Sequence, residues 1–517
     1  MTSYQFVQLH PQDTCVVALE HIPQGSTLSV GQGISITTRQ AIPPGHKISL
    51  CSTDEGQPVL KYGWSIGTAS QAIFPGDHIH SHNLRCEHKV DLEALATDTP
   101  PPPTRIEGPT FRGFVRADGR VGTRNYIAVI STVNCSASVS RKVAQQFASP
   151  DALRDFPNVD GVIAFRHDSG CGMAYEGIKH RTLSRVLAGV ASHPNIGAYL
   201  LIGLGCEQNT LGHMVAEHKL IQIQSPKAIS ARQAPPMIAM QDMGGTTATI
   251  EHAVAKVREL LPMANSFSRK EVSASHLILG TKCGGSDGYS GITANPALGV
   301  AVDKLVSWGG TAILAETTEL YGAEQLLTRR ARTRAVAEKL LERIEWWKWY
   351  SGIYGEEFDN NPSIGNKAGG LTTIIEKSLG AATKGGSTAM EDVYLYAEQV
   401  KTKGLVVMDT PGFDPVAVTG MIAGGANMVV FTTGRGSCFG SKPTPSIKVS
   451  TNSLLYQRMH EDMDLDAGTI VQGESIASVG NRMLDKILAV ASGEKTKSEI
   501  LGYGDDEFTP WPIGPTL

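Results

Sequence analysis

Between residues 14 and 95 short alternations of apolar and polar residues recur as TCVVALE, STLSV, ISITT, HKISLC and SIGTA. Period-two alternation between Pro-Gly and Gly turns predicts half-buried strands, and this spacing predicts a small all-β module. Within it AIPPGHKI and AIFPGDHI repeat one pattern: an apolar pair, Pro-Gly, then a return to an apolar residue. Two related β units are the simplest account. The pattern breaks at ATDTPPPPTRIEGPT, where Pro100 to Pro103 predict a stiff polyproline II spacer. The expected division is a β domain at 1–96, a linker at 97–110 and an α/β region at 111–517 with room for two subdomains.

Past the linker, continuous apolar runs replace alternation. YIAVIST, VDGVIAF, AYLLIGLG, HLILGTK, TAILAE, GLVVMD and NMVVF read as about seven strands buried on both faces. Helical stretches such as SVSRKVAQQFA, RTLSRVLAGVA and IEHAVAKVRELL lie between them. Strands alternating with helices predict an α/β fold around a Rossmann-like, mainly parallel sheet. The segment EFDNNPSIGNKAGGLTTIIEKSLGAATKGGS interrupts this alternation, and an ordered excursion of that length points to function.

Composition removes several classes of partner. With 46 Lys plus Arg against 50 Asp plus Glu, the net charge of -4 supplies no global field for nucleic acid or an anionic membrane. No run reaches the roughly 18 apolar residues of a membrane span, and MTSYQFVQLHPQD lacks a signal-peptide core. A cytoplasmic protein is expected. Eight scattered cysteines are not a disulfide framework, and in a reducing compartment they suggest metal binding or catalysis.

Candidate chemistry sits at strand ends. Cys135, Cys171, Cys206 and Cys283 each follow an apolar run. Ligands of open parallel sheets bind outside the carboxyl ends of the strands, so four thiols there predict an iron or iron–sulfur centre. Plain core packing is the alternative. His167, Glu207, Asp287, Glu316, Glu319 and Asp409 add nitrogen and oxygen at the same ends, and Lys282 and Arg435 add positive charge. The turns Cys283-Gly284-Gly285-Ser286-Asp287-Gly288 and Thr432-Thr433-Gly434-Arg435-Gly436 suit backbone donation to an anion, with Arg435 as a carboxylate clamp. Alternation puts His78, His80 and His82 on one face, where they could meet a metal or a polyol; a solvated edge is the bland alternative. No G-x-G-x-x-G follows the first apolar run and no GxxxxGK[ST] occurs, which argues against dinucleotide and P-loop sites.

DGRVGTRNYIAVISTVNCS, RHDSGC, IGLGCE, CGGSDGYSGITANPALG, NPSIGNKAGGLTTIIEKSLG, FTTGRGS and MDLDAGTI together resemble the altronate and galactarate dehydratase family. They cover most of residues 110 to 475, while KYGWSIG and HIHSHN resemble that family's SAF (β-clip) domain. The resemblance implies dehydration of a sugar acid to a 2-keto-3-deoxy acid by a homodimer. The implied cofactor is iron, as Fe2+ or an iron–sulfur cluster, with Mn2+ as a substitute. The histidine string favours altronate over galactarate; related sulfolactate sulfo-lyases split the two parts between chains. On this reading Cys135, Cys171, Cys206 and Cys283 hold the metal. The base comes from His167, His80 or Lys282, and His78, His82, Ser286, Asp287, Asn366, Lys367 and Arg435 hold substrate. Two other readings stay open: a lyase whose carboxylates Glu207, Asp287 and Glu319 bind a hard cation, and a sugar-acid-binding protein without turnover.

Overall fold

The computed structural model describes residues 4–30, 35–87, 94–223, 233–514 and 516. Residues 4–30 and 35–87 form small antiparallel sheets. One orders Phe6–Val7, Cys15–Ala18, Lys47–Ser49 and His78–Ile79; another orders Pro58–Lys61, Trp64–Ala69 and Leu84–Arg85. The two echoed segments do form related units. Ile42 and Ile73, equivalent in the repeat, each close an antiparallel bridge, to Ile22 and Thr53. The Pro-Gly turns that follow put Gly45 and Gly76 at φ of 81° and 86°, where a side chain is strained.

The continuous apolar runs form parallel strands, and they divide between two sheets. Tyr126–Ser131 is flanked by Gly161–Phe165 and Ile196–Gly203, with Met237–Ala239 outside the latter. All three pairings are parallel. The second sheet has seven parallel strands in the order Met390–Tyr394, Gly404–Met408, Thr311–Leu314, Ile278–Cys283, Met428–Thr433, Ser446–Ser450 and Leu465–Asp466. The four cysteine-bearing strands therefore do not share a sheet. Cys135, Cys171 and Cys206 follow strands of the small one, and Cys283 ends a strand of the large one. A buried parallel strand carries no mark of its sheet, because every such strand is apolar on both faces.

An antiparallel ribbon, Thr110–Val115 paired with Arg269–Ser273, bridges the two α/β parts. Buried polar groups then lock them. Arg124 binds Glu499 at 2.7 Å and the carbonyls of Val490 and Glu494 at 2.8 Å, and Thr123 Oγ1 donates to the Asn427 carbonyl at 2.7 Å. Before the ribbon, the Pro-rich segment runs along the large part: Asp98 N–H donates to the Arg329 carbonyl at 2.9 Å and Thr99 Oγ1 to that of Ala331 at 2.6 Å. Among the described residues, no helix is long and apolar enough to cross a membrane.

The β module is fastened to the large part by a buried ionic knot. Lys47 and Lys61 of the module reach Glu376, in the first turn of helix Ile374–Ala382, at 2.9 and 2.8 Å, with all three side chains buried. Lys47 also donates to the Gly370 carbonyl at 2.7 Å, and Thr372 N–H and Oγ1 donate to the same carboxylate. Burial would raise the Glu376 carboxyl, but the two ammonium groups outweigh it and hold it far below the carboxylate range. Beside the knot the backbones touch. A Cβ on Gly370, whose φ is 101°, would lie 2.3 Å from the Gly45 carbonyl oxygen.

Removing one member of a buried ion pair leaves an uncompensated charge, at about 3–5 kcal/mol. Glu376→Gln is expected to release the module. Hydrogen exchange should show protection lost together at residues 45–48 and 366–376 while the seven-stranded sheet stays protected; unchanged protection on both sides would refute the fastening.

Candidate functional site

In the seven-stranded sheet, the first strand, Ile278–Cys283, is followed in sequence by Thr311–Leu314 on one side and later by Met428–Thr433 on the other. The crevice between Ile278–Cys283 and Met428–Thr433 is thus a topological switch point, where open α/β sheets bind ligands. Two glycine turns meet there: the amides of Gly434 and Arg435 donate to the Gly285 carbonyl at 3.0 and 2.8 Å. Arg435 is exposed, and among the described residues its guanidinium has no ion pair or hydrogen bond. Ser286 is buried and its hydroxyl has no partner. Asp287 is fully engaged, accepting from Tyr289 N–H, Ser290, Thr451 and Asn452, so it braces the turns instead of facing a ligand. Asn366 likewise ties its own turn to the crevice, donating to the Ser286 carbonyl at 2.9 Å.

Below Cys283 lies a buried charge network. Cys283 Sγ and carboxylate oxygens of Glu316 and Glu319 lie within 4.8 Å of one another, a grouping that could hold a metal ion. Ammonium groups already surround it. Lys384 Nζ is 2.8 Å from both Cys283 Sγ and Glu316, Lys377 Nζ is 2.8 Å from Glu319, and Lys282 pairs with Glu316 and, at 2.8 Å, with Asp414. Burial acts to neutralise Lys282, yet Glu316 and Asp414 prevail and raise it well above the usual lysine value. Burial would raise Glu316, and Lys282 with Lys384 instead pull it down to about 2. The network is charge-compensated from within, and Glu316 sits in it at a φ of 69°, uncommon for a residue with a side chain.

The histidine string arrives from the module. The pairing of Lys47 with Ile79 and Ile48 with His78 brings His46 alongside it. His46 Nδ1 and His78 Nε2 are 2.9 Å apart, His46 and His80 rings stack at 5.2 Å, and the His78 ring centroid lies 5.4 Å from that of His80 and 5.7 Å from that of His82. The three rings are therefore gathered, but by a turn at 81–83 and not by an extended segment, since the strand ends at Ile79. Two rings dock on the 366–370 segment: His46 Nε2 on the Ala368 carbonyl at 3.3 Å and His80 Nε2 on the Lys367 carbonyl at 2.9 Å. Arg435 lies against the same segment, since a Cβ on Gly369 would come within 3.2 Å of its Cδ. Lys367 adds a second, half-buried cation. Burial, helped by Lys47 or a neighbouring imidazole, lowers His46 to about 4 and His78 to about 3, and lowers His80 as well.

Cys135, Cys171 and Cys206 form a separate group on the small sheet. All three are exposed free thiols. Burial raises the Cys171 thiol, a hydrogen bond from the Gln208 backbone opposes this, and Cys135 and Cys206 beside it raise it further. His167 does not face them freely: its Nε2 donates to the Ser131 carbonyl at 2.9 Å and its Nδ1 accepts from Ser169 N–H at 3.1 Å. The ring holds the Cys171 loop, and burial lowers it to about 4. Glu207 is likewise occupied by Thr132 Oγ1 and Gly205 N–H, at 2.9 and 2.7 Å.

Three kinds of residue escaped the sequence reading. His46 carries a signal, since it follows the first Pro-Gly of the same repeat that precedes His78. Lys377 and Lys384 lie in a helix and a turn that bear no local mark of charge burial. Nothing in one sequence pairs Glu376 with Lys47 and Lys61 across more than 300 positions.

Residues 4–87 match the altronate/galactarate dehydratase SAF domain, 113–265 the second domain of D-galactarate dehydratase/altronate hydrolase, and 274–516 the D-galactarate/altronate dehydratase C-terminal domain. The chain is 36% identical to altronate dehydratase of Bacillus subtilis, over 96% of both chains. It is 35% identical to altronate dehydratase of Escherichia coli over 96% of this chain and 97% of that one. Against galactarate dehydratase (L-threo-forming) of Escherichia coli it is also 35% identical, over 98% and 97%. Through all three of its parts, the chain belongs to the altronate/galactarate dehydratase family of hydro-lyases.

Proposed function

We propose that this protein dehydrates a sugar acid, D-altronate in the first instance, to a 2-keto-3-deoxy acid, removing the α proton and losing the 3-hydroxyl. The carrying observation is the meeting of neutral imidazoles from the module with the unpaired Arg435 guanidinium on the 366–370 segment, at the large sheet's switch point. Abstracting a proton next to a carboxylate builds a second negative charge, so the site needs fixed positive charge at the carboxylate and a neutral base beside the carbon. Arg435, with Lys367 on the adjoining segment, meets the first need, and the buried Ser286 hydroxyl lacks the partner that a substrate oxygen would supply.

For the base, the three candidates separate. Lys282 is held protonated by Glu316 and Asp414, and both nitrogens of His167 are engaged by backbone. His80 has the right form: Nε2–H donates to the Lys367 carbonyl, which leaves the lone pair on Nδ1. The partner of Nδ1 is the exposed Ser81 hydroxyl at 3.0 Å, a side chain that a substrate can displace more readily than the backbone that holds His167. His80 is the proposed base, and His78 and His82 flank it toward the substrate hydroxyls.

Iron is the metal of this reading, and Mn2+ would suit similar donors. Among the described residues, Cys283 with Glu316 and Glu319 is the grouping of three donors that would hold such an ion, whereas His46 Nδ1 and His78 Nε2 share a hydrogen bond at 2.9 Å. When bound, the metal supplies Lewis-acid help to the departing hydroxyl. The histidine string favours altronate over galactarate. Cytoplasmic homodimers are the proposed form, with Trp349, Ile353 and Tyr354, which are 57–61% exposed at one end of helix Arg334–Ile353, offering an apolar contact.

Incubation with altronate or galactarate under anaerobic, reducing conditions with Fe2+ is expected to yield a 2-keto acid, faster from altronate. Binding of both without product would instead support the binding-protein reading. His80→Gln should lower kcat by roughly 10²–10⁴-fold with little change in KM, whereas Arg435→Met should lower kcat and raise KM together, because Arg435 binds the carboxylate and stabilises the charge that develops there. An unchanged kcat in His80→Gln would remove the base assignment. Because burial lowers the proposed base His80 below the ordinary histidine value, the acid limb of activity should lie below 6.5. An acid limb centred near 6.5, the ordinary histidine value, would show that the string is solvated in the working enzyme.

A further inference from the structure

Helix Ile178–Ala191 of the small α/β part packs on the large part, where Arg185 Nη1 donates to the Tyr396 carbonyl at 3.0 Å. Beside this contact the seam opens into a cavity of about 490 Å³. The small part contributes residues around Arg116, Pro194 and Leu220, and the large part contributes Ala397, Glu398 and Gln399. Clefts of this size between two parts of a chain are a common place for a small molecule. Pro194 and Ile196 stand at the amino end of strand Ile196–Gly203, the end opposite the Cys206 turn. The cavity shares no residue with the histidine string or with the Arg435 turn.

Its walls are largely apolar. Ile196, Tyr199, Leu220, Ile221 and Ile223 line it, and the Tyr199 hydroxyl is already spent on the Ile221 carbonyl at 2.7 Å. Ile221 is 44% exposed beside the buried Leu220, an apolar side chain left at the mouth. The charges that line it are unbalanced. Arg116, Arg120, Arg185 and Lys219 stand against Asp118 and Glu398. Asp118 is taken by Arg120 at 2.8 Å, and Glu398 accepts from Leu395 N–H at 2.8 Å. Among the described residues, neither Arg116 nor Lys219 has a carboxylate partner.

Arg116 is the member that needs one. Only 6% exposed, it donates from Nε to the Pro194 carbonyl at 2.7 Å and from Nη2 to that of Arg124 at 3.3 Å, and its guanidinium lies 4.5 Å from the Phe267 ring centroid. Nη1 is buried with no hydrogen-bond partner. Burial outweighs the attraction of Asp118 and Asp160 and lowers the group to about 9. Buried charges are ordinarily paired, so the missing partner is an anion. Two carbonyls and an aromatic face hold the guanidinium in place before any ligand arrives, which removes part of the cost of binding.

We propose that this cavity binds a small organic carboxylate with an apolar body, its carboxylate pairing with Arg116 beside Lys219 and its body lying against Ile196, Leu220 and Ile221. The proposal does not rest on the reaction proposed above. A sugar acid does not suit these walls, because its hydroxyls would lose water without gaining partners. Arg116 also holds the carbonyl of Arg124, whose side chain ties the small part to Glu499, so a bound carboxylate bears on the lock between the two parts.

Calorimetric titration of the full-length protein with octanoate is expected to show one site, and its unfolding temperature should rise with octanoate concentration. Acetate, which lacks the body, and octanamide, which lacks the charge, should each bind roughly tenfold or more weakly. Ile221→Asp places a negative charge at the mouth without touching the carbonyl bonds of Arg116, and it should weaken octanoate to a similar degree. Arg116→Met should do the same, with circular dichroism reporting whether that variant folds; Ile221→Asp keeps the test open if it does not. Excess altronate should not displace octanoate. Absence of octanoate binding, equal binding of acetate or octanamide, displacement by altronate, or undiminished affinity in Ile221→Asp would each overturn the proposal.

Discussion

Glu376 holds the site together. One carboxylate, buried in the first turn of a helix, accepts from Lys47, Lys61 and Thr372, and through Lys47 it fixes the strand that His46 precedes. One negative charge cannot compensate two ammonium groups equally. Lys61 is raised by its carboxylate despite burial, whereas Lys47, for which burial prevails, is lowered. Lys47 in turn disfavours charge on His46 and His78, so the knot that docks the module also helps keep its histidines neutral. Placement of the string follows from this contact, and its protonation state chiefly from burial, to which Lys47 adds.

The large switch point separates its titrating groups by environment. Lysines among carboxylates, Lys282 and Lys384, stay charged deep in the sheet, and imidazoles without an acidic partner stay neutral at the module face. Groups pushed apart in this way can divide proton transfer from charge stabilisation. The deep network also supports the turn that carries Ser286, because Cys283 is tied to Glu316 and Lys384 immediately before Gly284.

Much of this architecture was legible as local pattern. Alternation between Pro-Gly turns marked the β module, and the AIPPGHKI and AIFPGDHI echo located its two units. Apolar runs marked buried strands, and turns at their carboxyl ends marked the places where chemistry collects. His78, His80 and His82 lie together although only His78–Ile79 is strand, because residues 81–83 turn back over it. Arg435 stands at a glycine turn in the structure as in the sequence, since the turn needs close backbone approach whatever it packs against.

The sequence by itself determined which segments are strands, which residues end them and which side chains share a face, because these depend on periods of a few residues. Only the tertiary structure decided that the four cysteines end on two sheets, since strand order is set by packing between segments that are equally apolar. It also decided which polar residues are free. Asp287 and His167 resembled site residues in sequence, but their hydrogen-bonding capacity is spent within the fold, while Arg435 and Ser286 retain theirs. Contacts such as Lys47 with Glu376 join positions more than 300 apart, where no local pattern records the partner.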